Sequence, residues 1–402
     1  MAQGHSGTDP RPSAPPHGGT LAITNAKIYA SPDAAAIERG TVLVREGRIE
    51  AVGPGIAVPP GALEVSANHG AVTAGFWNAH VHLTEGKWAA PHRTPASVLD
   101  HHLAEMFTSR GFTTVVDVGS DPRVTIPLRR RVAAGELVGP AILTSGPPLY
   151  PPKGIPFYVK DAVPWYVRWF MPQPATPAAA VKAVERNVRW GADLLKLFTG
   201  SYVAKGRVLP MPEPVARAAV EAAHAHGQLV YAHPSNLEGT RVAAQSGVDV
   251  LAHAPDDTEG VDDALLRNLV DRRMVMIPTL KMFGTTVTSS ASYLEPIYAL
   301  VRRFRELGGR LLFGTDVGYM TDYSTEGEFA ALGRSGLDAT EILRALTVGP
   351  SERFGVAKDH GTVAVGKRAD LVVLDGDPFE DPGAFARVRL TVRAGRVVWS
   401  RA

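Results

Sequence analysis

The stretch "AVTAGFWNAHVHLTEG" (residues 71–86) runs through small apolar residues into two histidines one residue apart. His80 and His82 alternate with Ala79 and Val81, a strand-like period of two that aims both imidazoles at one face. Alone, the pair reads either as half of a metal site or as two histidines at a strand end, each hydrogen-bonded to backbone. Trp77, on the opposite parity, is expected to pack on the outside of the strand. The rest of the chain decides between the readings.

From this segment onward, short apolar runs alternate with amphipathic stretches rich in Ala, Leu and Arg. The runs are "WNAHVH" (77–82), "TTVVDVG" (113–119), "AILTSG" (141–146), "DLLKLF" (193–198), "QLVYAHP" (228–234), "DVLAHA" (249–254), "MVMIPTL" (274–280) and "RLLFGTDVG" (310–318). Helical segments separate most of them. "PEPVARAAVEAAHAHG" (212–227), for example, begins with prolines and stops at Gly227. Eight near-continuous apolar strands with intervening helices predict a closed parallel (β/α)8, TIM-like barrel over residues 73–352. An open doubly wound sheet is the alternative, but no GxGxxG fingerprint follows the first strand.

The flanks have a different texture. "LAITNAKIYA", "GTVLVREGRIEAVG" and "ALEVSAN" place Val and Ile between Gly-containing turns in residues 21–72. "GTVAVGKRADLVVLD" and "LTVRAGRVVWSRA" repeat that texture within residues 353–402. Both chain ends are therefore expected to build one small β-sandwich domain, with the barrel inserted between them. Residues 1–20, rich in Pro, Gly and Ser, read as a disordered tail and lack the apolar run of a signal peptide.

Composition narrows the function classes. Of 402 residues, 45% are hydrophobic and 20% charged, ordinary for a globular enzyme with an ample core. Lys and Arg total 42 against 40 for Asp and Glu, leaving a formal charge of +2 and no basic patch of the kind nucleic acid requires. No apolar window of about 18 residues suggests a membrane span. The absence of cysteine excludes disulfides, thiolate metal sites and cysteine nucleophiles, and leaves the compartment open, cytoplasmic or exported after signal removal.

In a β/α barrel the chemistry sits at the C-terminal ends of the strands. Those ends carry His80 and His82 on the first strand, Lys196 on the fourth, His233 on the fifth, His253 on the sixth and Asp316 on the eighth. Singly, His233 and His253 read as hydrogen-bonded core histidines and Asp316 as a turn cap; jointly they converge on one rim. Lys196 is the least ordinary of the set. It lies inside an apolar strand, where a charged ammonium is costly and its pKa is pushed down. A neutral buried amine can react with carbon dioxide to form a carbamate, whose two oxygens suit a bridge between divalent cations.

"NAHVH", the lysine of "LLKLF", "YAHP", "LAHA" and "GTDVG" together resemble the amidohydrolase superfamily of metal-dependent hydrolases. The branch they resemble most contains imidazolonepropionase-like and Xaa-Pro-dipeptidase-like enzymes, and "GTVAVGKRADLVVLDGDPFED" resembles its closing β-domain segment. The resemblance spans residues 21–402. It implies that His80, His82 and Asp316 hold one metal, that His233 and His253 hold another, and that carboxylated Lys196 bridges the two. Imidazole and carboxylate donors suit Zn²⁺. Two such ions about 3.5–4 Å apart share a hydroxide nucleophile, Asp316 acts as general acid and base, and His253 belongs with them to the catalytic set. The implied reaction is hydrolysis of an amide, a peptide (dipeptide or N-acyl amino acid) or a cyclic amide. The implied partners are a small-molecule substrate and further copies of the chain in a homo-oligomer.

Two rival functions are weighed. Deaminases of the superfamily usually carry a glutamate just after the fifth-strand histidine and typically lack the lysine; here "PSN" follows His233 and the nearest glutamate is Glu238. A non-catalytic scaffold on the same fold is expected to have lost ligands, whereas all six positions are filled. "FTGSYVAKG" (198–206) departs from the glycine-rich run usual in dipeptidase-like enzymes, which weakens dipeptides as the substrate.

Residues 146–174 form a connection far longer than the usual roughly 2–6 residues. It holds Tyr150, Phe157, Tyr158, Trp165, Tyr166, Trp169 and Phe170, and reads as a lid offering an aromatic subsite, or as an insertion packing on itself or on another subunit. Trp88, Tyr150, Tyr202, Lys281, Tyr319 and Tyr323 are the candidate substrate contacts. His224 and His226 repeat the opening spacing but on a helix, where i and i+2 point about 200° apart, so they are expected to be structural. His101 and His102 read as surface helix residues, and Asp117 as a structural strand end.

Overall fold

The computed structural model of the chain describes residues 19–163, 165–168 and 171–401, with backbone alone at 166 and 167. Residues 1–18 of the expected tail, Trp169, Phe170 and the Tyr166 side chain lie outside the described residues.

The eight apolar runs are all strands: Phe76–Val81, Phe112–Asp117, Ala141–Thr144, Leu194–Phe198, Leu229–His233, Val250–Leu251, Val275–Met276 and Arg310–Leu311. They pair in parallel, the first three in one sheet and the other five in a second. Backbone hydrogen bonds join these sheets at both edges. Asp193 N donates to Thr144 O (2.7 Å) and Phe198 N to Leu149 O (2.9 Å) on one side. On the other, Ala79 N donates to Phe313 O (2.8 Å) and Asp316 N to His80 O (2.9 Å). These bonds link the two sheets at both edges, so the eight strands form a ring.

A single buried cluster draws on every strand segment, with Trp77, Val116, Leu143, Leu194, Tyr231, Val250, Val275 and Leu312 among its members. That membership places Trp77 inside the ring, not outside as the alternation predicts. Its indole packs at 5.5 Å from the Phe354 ring. The period of two fails because the first strand carries register shifts between Phe76 and Trp77 and between Asn78 and Val81. Counting back from His80 to Trp77 crosses an irregularity that resets the faces.

Helices follow the strands and bury their apolar stripes in a second, larger cluster. Local sequence sets their ends. Pro177–Trp190 starts on Thr176, whose hydroxyl accepts from Ala179 N, has proline at its first position and stops at Gly191 with φ 91°. Glu213–Ala225 has its expected prolines at the cap, Pro212, and at the second helical position, Pro214, with Gly227 at φ 70° just beyond. Among the described residues no helix is long and apolar enough to cross a membrane.

Both chain ends meet in one eight-stranded sheet. Leu371–Leu374 pairs antiparallel with Ala71–Ala74, which pairs in parallel with Leu21–Ile28. Seven strands of this sheet follow one hydrogen-bonded path, with Leu63–Ser66 branching off onto Leu21–Ile28, and Ala71–Ala74 leads directly into the first strand of the ring. A short hairpin, Gly200–Ala204 with Arg207–Pro210, follows the fourth ring strand and was not expected from sequence. It fixes the position of Tyr202.

Candidate metal centre

His80 and His82 leave the first ring strand beside Asp316, which follows the eighth. His80 Nε2 lies 3.2 Å and His82 Nε2 2.9 Å from Asp316 Oδ1. Ligand-capable atoms of these three residues all fall within 4.8 Å of one another. The imidazoles continue as a row: His80 and His253 rings are 4.5 Å apart, and His253 and His233 rings 4.4 Å. Phe198 stacks on the far face of His233 at 4.7 Å. Lys196 is 1% exposed, on the strand next to His233, with its Nζ 5.8 Å from the Phe198 ring. All six expected ligand positions thus lie on the same end of the ring.

The backbone is built for this approach. A Cβ on Gly314 would sit 2.8 Å from His80 Cβ, and one on Gly318, whose φ is 96°, would sit 1.8 Å from His82 O. Only glycine lets the eighth-strand loop close over both histidines. Asp316 itself adopts φ 61°, a left-handed conformation uncommon outside glycine. Asn78 ties the two segments together: its Nδ2 donates to Thr315 Oγ1 (2.7 Å), while its Oδ1 accepts from Thr315 N (3.2 Å) and His80 N (3.3 Å). Asp117 accepts from Thr144 Oγ1 (2.7 Å), from Ser120 Oγ and from Leu83 N (3.3 Å), so it braces the turn just after His82. Neither Asn78 nor its clamp was read from the sequence. Its signal was a polar residue within an otherwise apolar strand.

Hydrogen bonds fix which ring nitrogen is free. His80 Nδ1 meets Ala252 O at 2.6 Å, and because a carbonyl only accepts, Nδ1 carries the proton and Nε2 presents a lone pair. His253 Nδ1 meets Thr279 Oγ1 at 2.7 Å, and that hydroxyl donates onward to Pro278 O at 2.8 Å, so His253 Nε2 is likewise the free acceptor. Burial, with Lys196 nearby, pushes the His80 imidazole down to about 4. Burial also holds His233 and His253 well below the ordinary histidine range. Burial opposes the charge of Asp316, yet the flanking His80 and His82 imidazoles hold its carboxyl well below the usual carboxylate range. The Lys196 amine is pushed down to about 7 by burial, with Asp316 partly offsetting this.

A neutral imidazole lone pair therefore faces a carboxylate oxygen. His80 Nε2 and Asp316 Oδ1 are both buried and, among the described residues, have no hydrogen-bond partner. Two buried acceptors aimed at each other are costly unless something positive lies between them. The donor set of imidazole nitrogen and carboxylate oxygen fits a divalent cation of the zinc type.

The candidate substrate contacts divide. Tyr319 follows Asp316, is 45% exposed and lies 5.7 Å ring to ring from Tyr158 of the insertion. Tyr150 packs on Phe198 at 4.7 Å, and Tyr202 OH donates to Asp256 Oδ2 at 3.1 Å. Trp88 is 0% exposed within the main core, so it packs and offers no surface to a substrate. The Lys281 ammonium is engaged by Asp322 Oδ2 (2.7 Å), Asp322 O (3.2 Å) and Ser324 O (2.6 Å), which uses all three of its protons. Tyr323 OH is held between Lys87 Nζ (2.6 Å) and Glu85 Oε2 (2.5 Å). Asp256 was absent from the expected contacts, and Tyr158, expected only as one of the aromatics of the insertion, lies beside Tyr319 within electrostatic reach of Asp316 and Asp256. His224 pairs with Asp249 and His226 with Glu185, each at 2.8 Å. His102 packs edge-on to Trp88 at 5.8 Å rather than lying free on the surface.

With this geometry in hand, residues 71–398 match the amidohydrolase family model, and the chain belongs to that family. An imidazolonepropionase of Sphingopyxis alaskensis is 32% identical over 180 residues, 42% of this chain and 41% of that protein. A crystal structure of a putative prolidase from Bifidobacterium longum superposes with TM-score 0.78 at 27% identity, covering 96% of this chain and 95% of that one. A crystal structure of a Xaa-Pro dipeptidase with bound methionine has TM-score 0.80 at 22% identity, covering 95% of this chain and 100% of that one. Against the first curated relatives, which are uncharacterized mycobacterial proteins, the match spans 60% of their length.

Proposed function

We propose that the chain is a binuclear metal-dependent hydrolase that cleaves an amide, a peptide or a cyclic amide. On this reading residues 73–352 form a (β/α)8 barrel, and residues 21–72 with 353–402 form the β-domain that closes on it. His80, His82 and Asp316 would hold one divalent ion and His233 and His253 a second, with Lys196, carboxylated by carbon dioxide, between them. The observation that carries the reading is the buried, donor-less meeting of His80 Nε2 and Asp316 Oδ1.

When bound, such ions supply a nucleophilic water at neutral pH and polarise a scissile carbonyl. The chain's own groups do the rest. Asp316 receives a proton on its carboxylate as water attacks and delivers it to the leaving nitrogen. Ala252 O and Thr279 Oγ1 hold the His80 and His253 rings in the tautomer that presents Nε2. Burial keeps the Lys196 amine neutral over part of the working pH range, which is the state that reacts with carbon dioxide. The names of the prolidase and imidazolonepropionase relatives support carbon–nitrogen bond cleavage.

Elemental analysis of the purified protein should find close to two divalent ions per chain. Lys196→Ala should lose at least one of them and most turnover on a panel of dipeptides, N-acyl amino acids, anilides and lactams. A variant that keeps both ions and full activity would sink the bridging role.

A further inference from the structure

The rim above the metal centre carries a carboxylate with no cation. Asp256 Oδ2 accepts the phenol of Tyr202 at 3.1 Å and that of Tyr293 at 2.9 Å. The three residues come from different segments: Asp256 lies three positions after His253, Tyr202 sits on the hairpin after the Lys196 strand, and Tyr293 is in the first turn of the helix Ala291–Glu306. Phe283 connects the group to the metal centre, edge-on to His253 at 6.3 Å and to Tyr293 at 6.4 Å. Tyr158 stands over the same mouth, in contact with Tyr319 and within electrostatic reach of both Asp316 and Asp256.

A carboxylate at a rim normally finds an arginine or lysine. Among the described residues none pairs with Asp256, whose hydrogen bonds come from neutral phenols. Burial pushes its carboxyl up, the state of an acid still lacking a cation. Three cations of the neighbouring loops are engaged elsewhere. Lys281 is held by Asp322 and Ser324, Lys87 by Tyr323 and Glu85, and Arg168 by the carbonyls of Lys160 and Val163. Lys160 shares the short helix Phe157–Ala162 with Tyr158, but at i and i+2 the two point about 200° apart. With Tyr158 over the site, Lys160 faces away.

We infer that Asp256, held by Tyr202 and Tyr293, selects substrates bearing a protonated amine or a neutral N–H donor beside an aromatic group. The site then discriminates against those ending in a free carboxylate. This rests on the hydrolase reading above and narrows it: a dipeptide or N-acyl amino acid with its free acid is the disfavoured form. The ammonium would replace the missing cation at Asp256, while the rings of Tyr158, Tyr319 and Phe283 stack on the aromatic part.

The test uses the metal-loaded enzyme and three benzamides of similar size whose terminal group is cationic, neutral or anionic: N-benzoyl-ethylenediamine, N-benzoyl-glycinamide and N-benzoyl-glycine. kcat/KM should fall in that order, by at least about tenfold from the cation to the anion, and Asp256→Asn should collapse the ratio without reversing it. Calorimetry provides a second arm without turnover. At neutral pH phenethylamine should bind at least about tenfold more tightly than phenethyl alcohol, and Tyr293→Phe should shrink that gap while leaving the fold intact. If protein holding its metals cleaves neither these benzamides nor any member of the dipeptide, N-acyl amino acid, anilide and lactam panel, the hydrolase reading fails and the binding arm still decides the selectivity. An amine that binds no better than the alcohol, or an anion preferred in a manner that Lys160→Ala abolishes, overturns the assignment.

Discussion

Removing the Asn78 side chain tests whether the first and eighth ring segments are held together as the geometry indicates. Asn78 is 0% exposed and makes three hydrogen bonds, two with Thr315 and one with His80 N. Each buried bond contributes on the order of 0.5–1.5 kcal/mol net, and a buried donor left unpaired costs more. Thr315 N retains His80 O as a second, longer partner at 3.3 Å, which reduces its loss. Asn78→Ala should therefore destabilise by about 2–3 kcal/mol. Thr315→Val removes the shared hydroxyl alone, so the coupling isolated by a double-mutant cycle should be about 1 kcal/mol. Urea denaturation of the four proteins gives both quantities. Because Thr315 adjoins Asp316, both variants should also bind metal less tightly than a core variant of equal destabilisation. A coupling below about 0.3 kcal/mol, or normal metal affinity in a destabilised Asn78→Ala protein, would refute the clamp.

Two further expectations concern the supporting structure. Glu328 is buried, accepting from Leu280 N at 3.0 Å and Lys281 N at 2.7 Å, and burial pushes its carboxyl up to about 7. A carboxyl raised above its unfolded value near 4.5 gives its full stabilisation below that value and loses it as pH rises through about 7. This group should lower stability by about 3 kcal/mol across that window, and a pH series of urea melts on Glu328→Gln should lack that slope. Gly318→Ala should cost at least about 3 kcal/mol, since a Cβ there meets His82 O at 1.8 Å and φ is 96°. Soluble Gly318→Ala protein with an unshifted melting curve would show that the loop closes over His82 differently.

Much of this molecule was legible from local patterns. All eight ring strands coincide with runs of apolar residues, because a strand covered on both faces needs continuous hydrophobicity. The grouping of the six candidate positions was legible because strand ends in such a fold share one rim, so residues distant in sequence could be placed together before any distance was known. Where reading failed, the cause was tertiary. Trp77 was assigned outward because alternation assumes an unbroken register, and two register shifts break it. Trp88 and Lys281 were offered as substrate contacts on loop position alone. Burial and competing partners, which no residue type announces, remove them. Asp256 was passed over for the converse reason, since it carries no motif, and Tyr158 was read only as one of several aromatics of the 146–174 insertion.

By itself, then, the sequence determined the strand order, the helix ends and the chemical identity of the candidate ligands, all properties set by residue type and short-range spacing. The tertiary structure alone decided which nitrogen of His80 and His253 is free and which polar residue clamps Asp316 into place. It alone placed the Asp256 carboxylate against the phenols of Tyr202 and Tyr293. Those features depend on contacts between residues tens to hundreds of positions apart, such as Asn78 with Thr315 and Asp256 with Tyr202. Chain closure fixes those contacts, and periodicity within a segment carries no record of them.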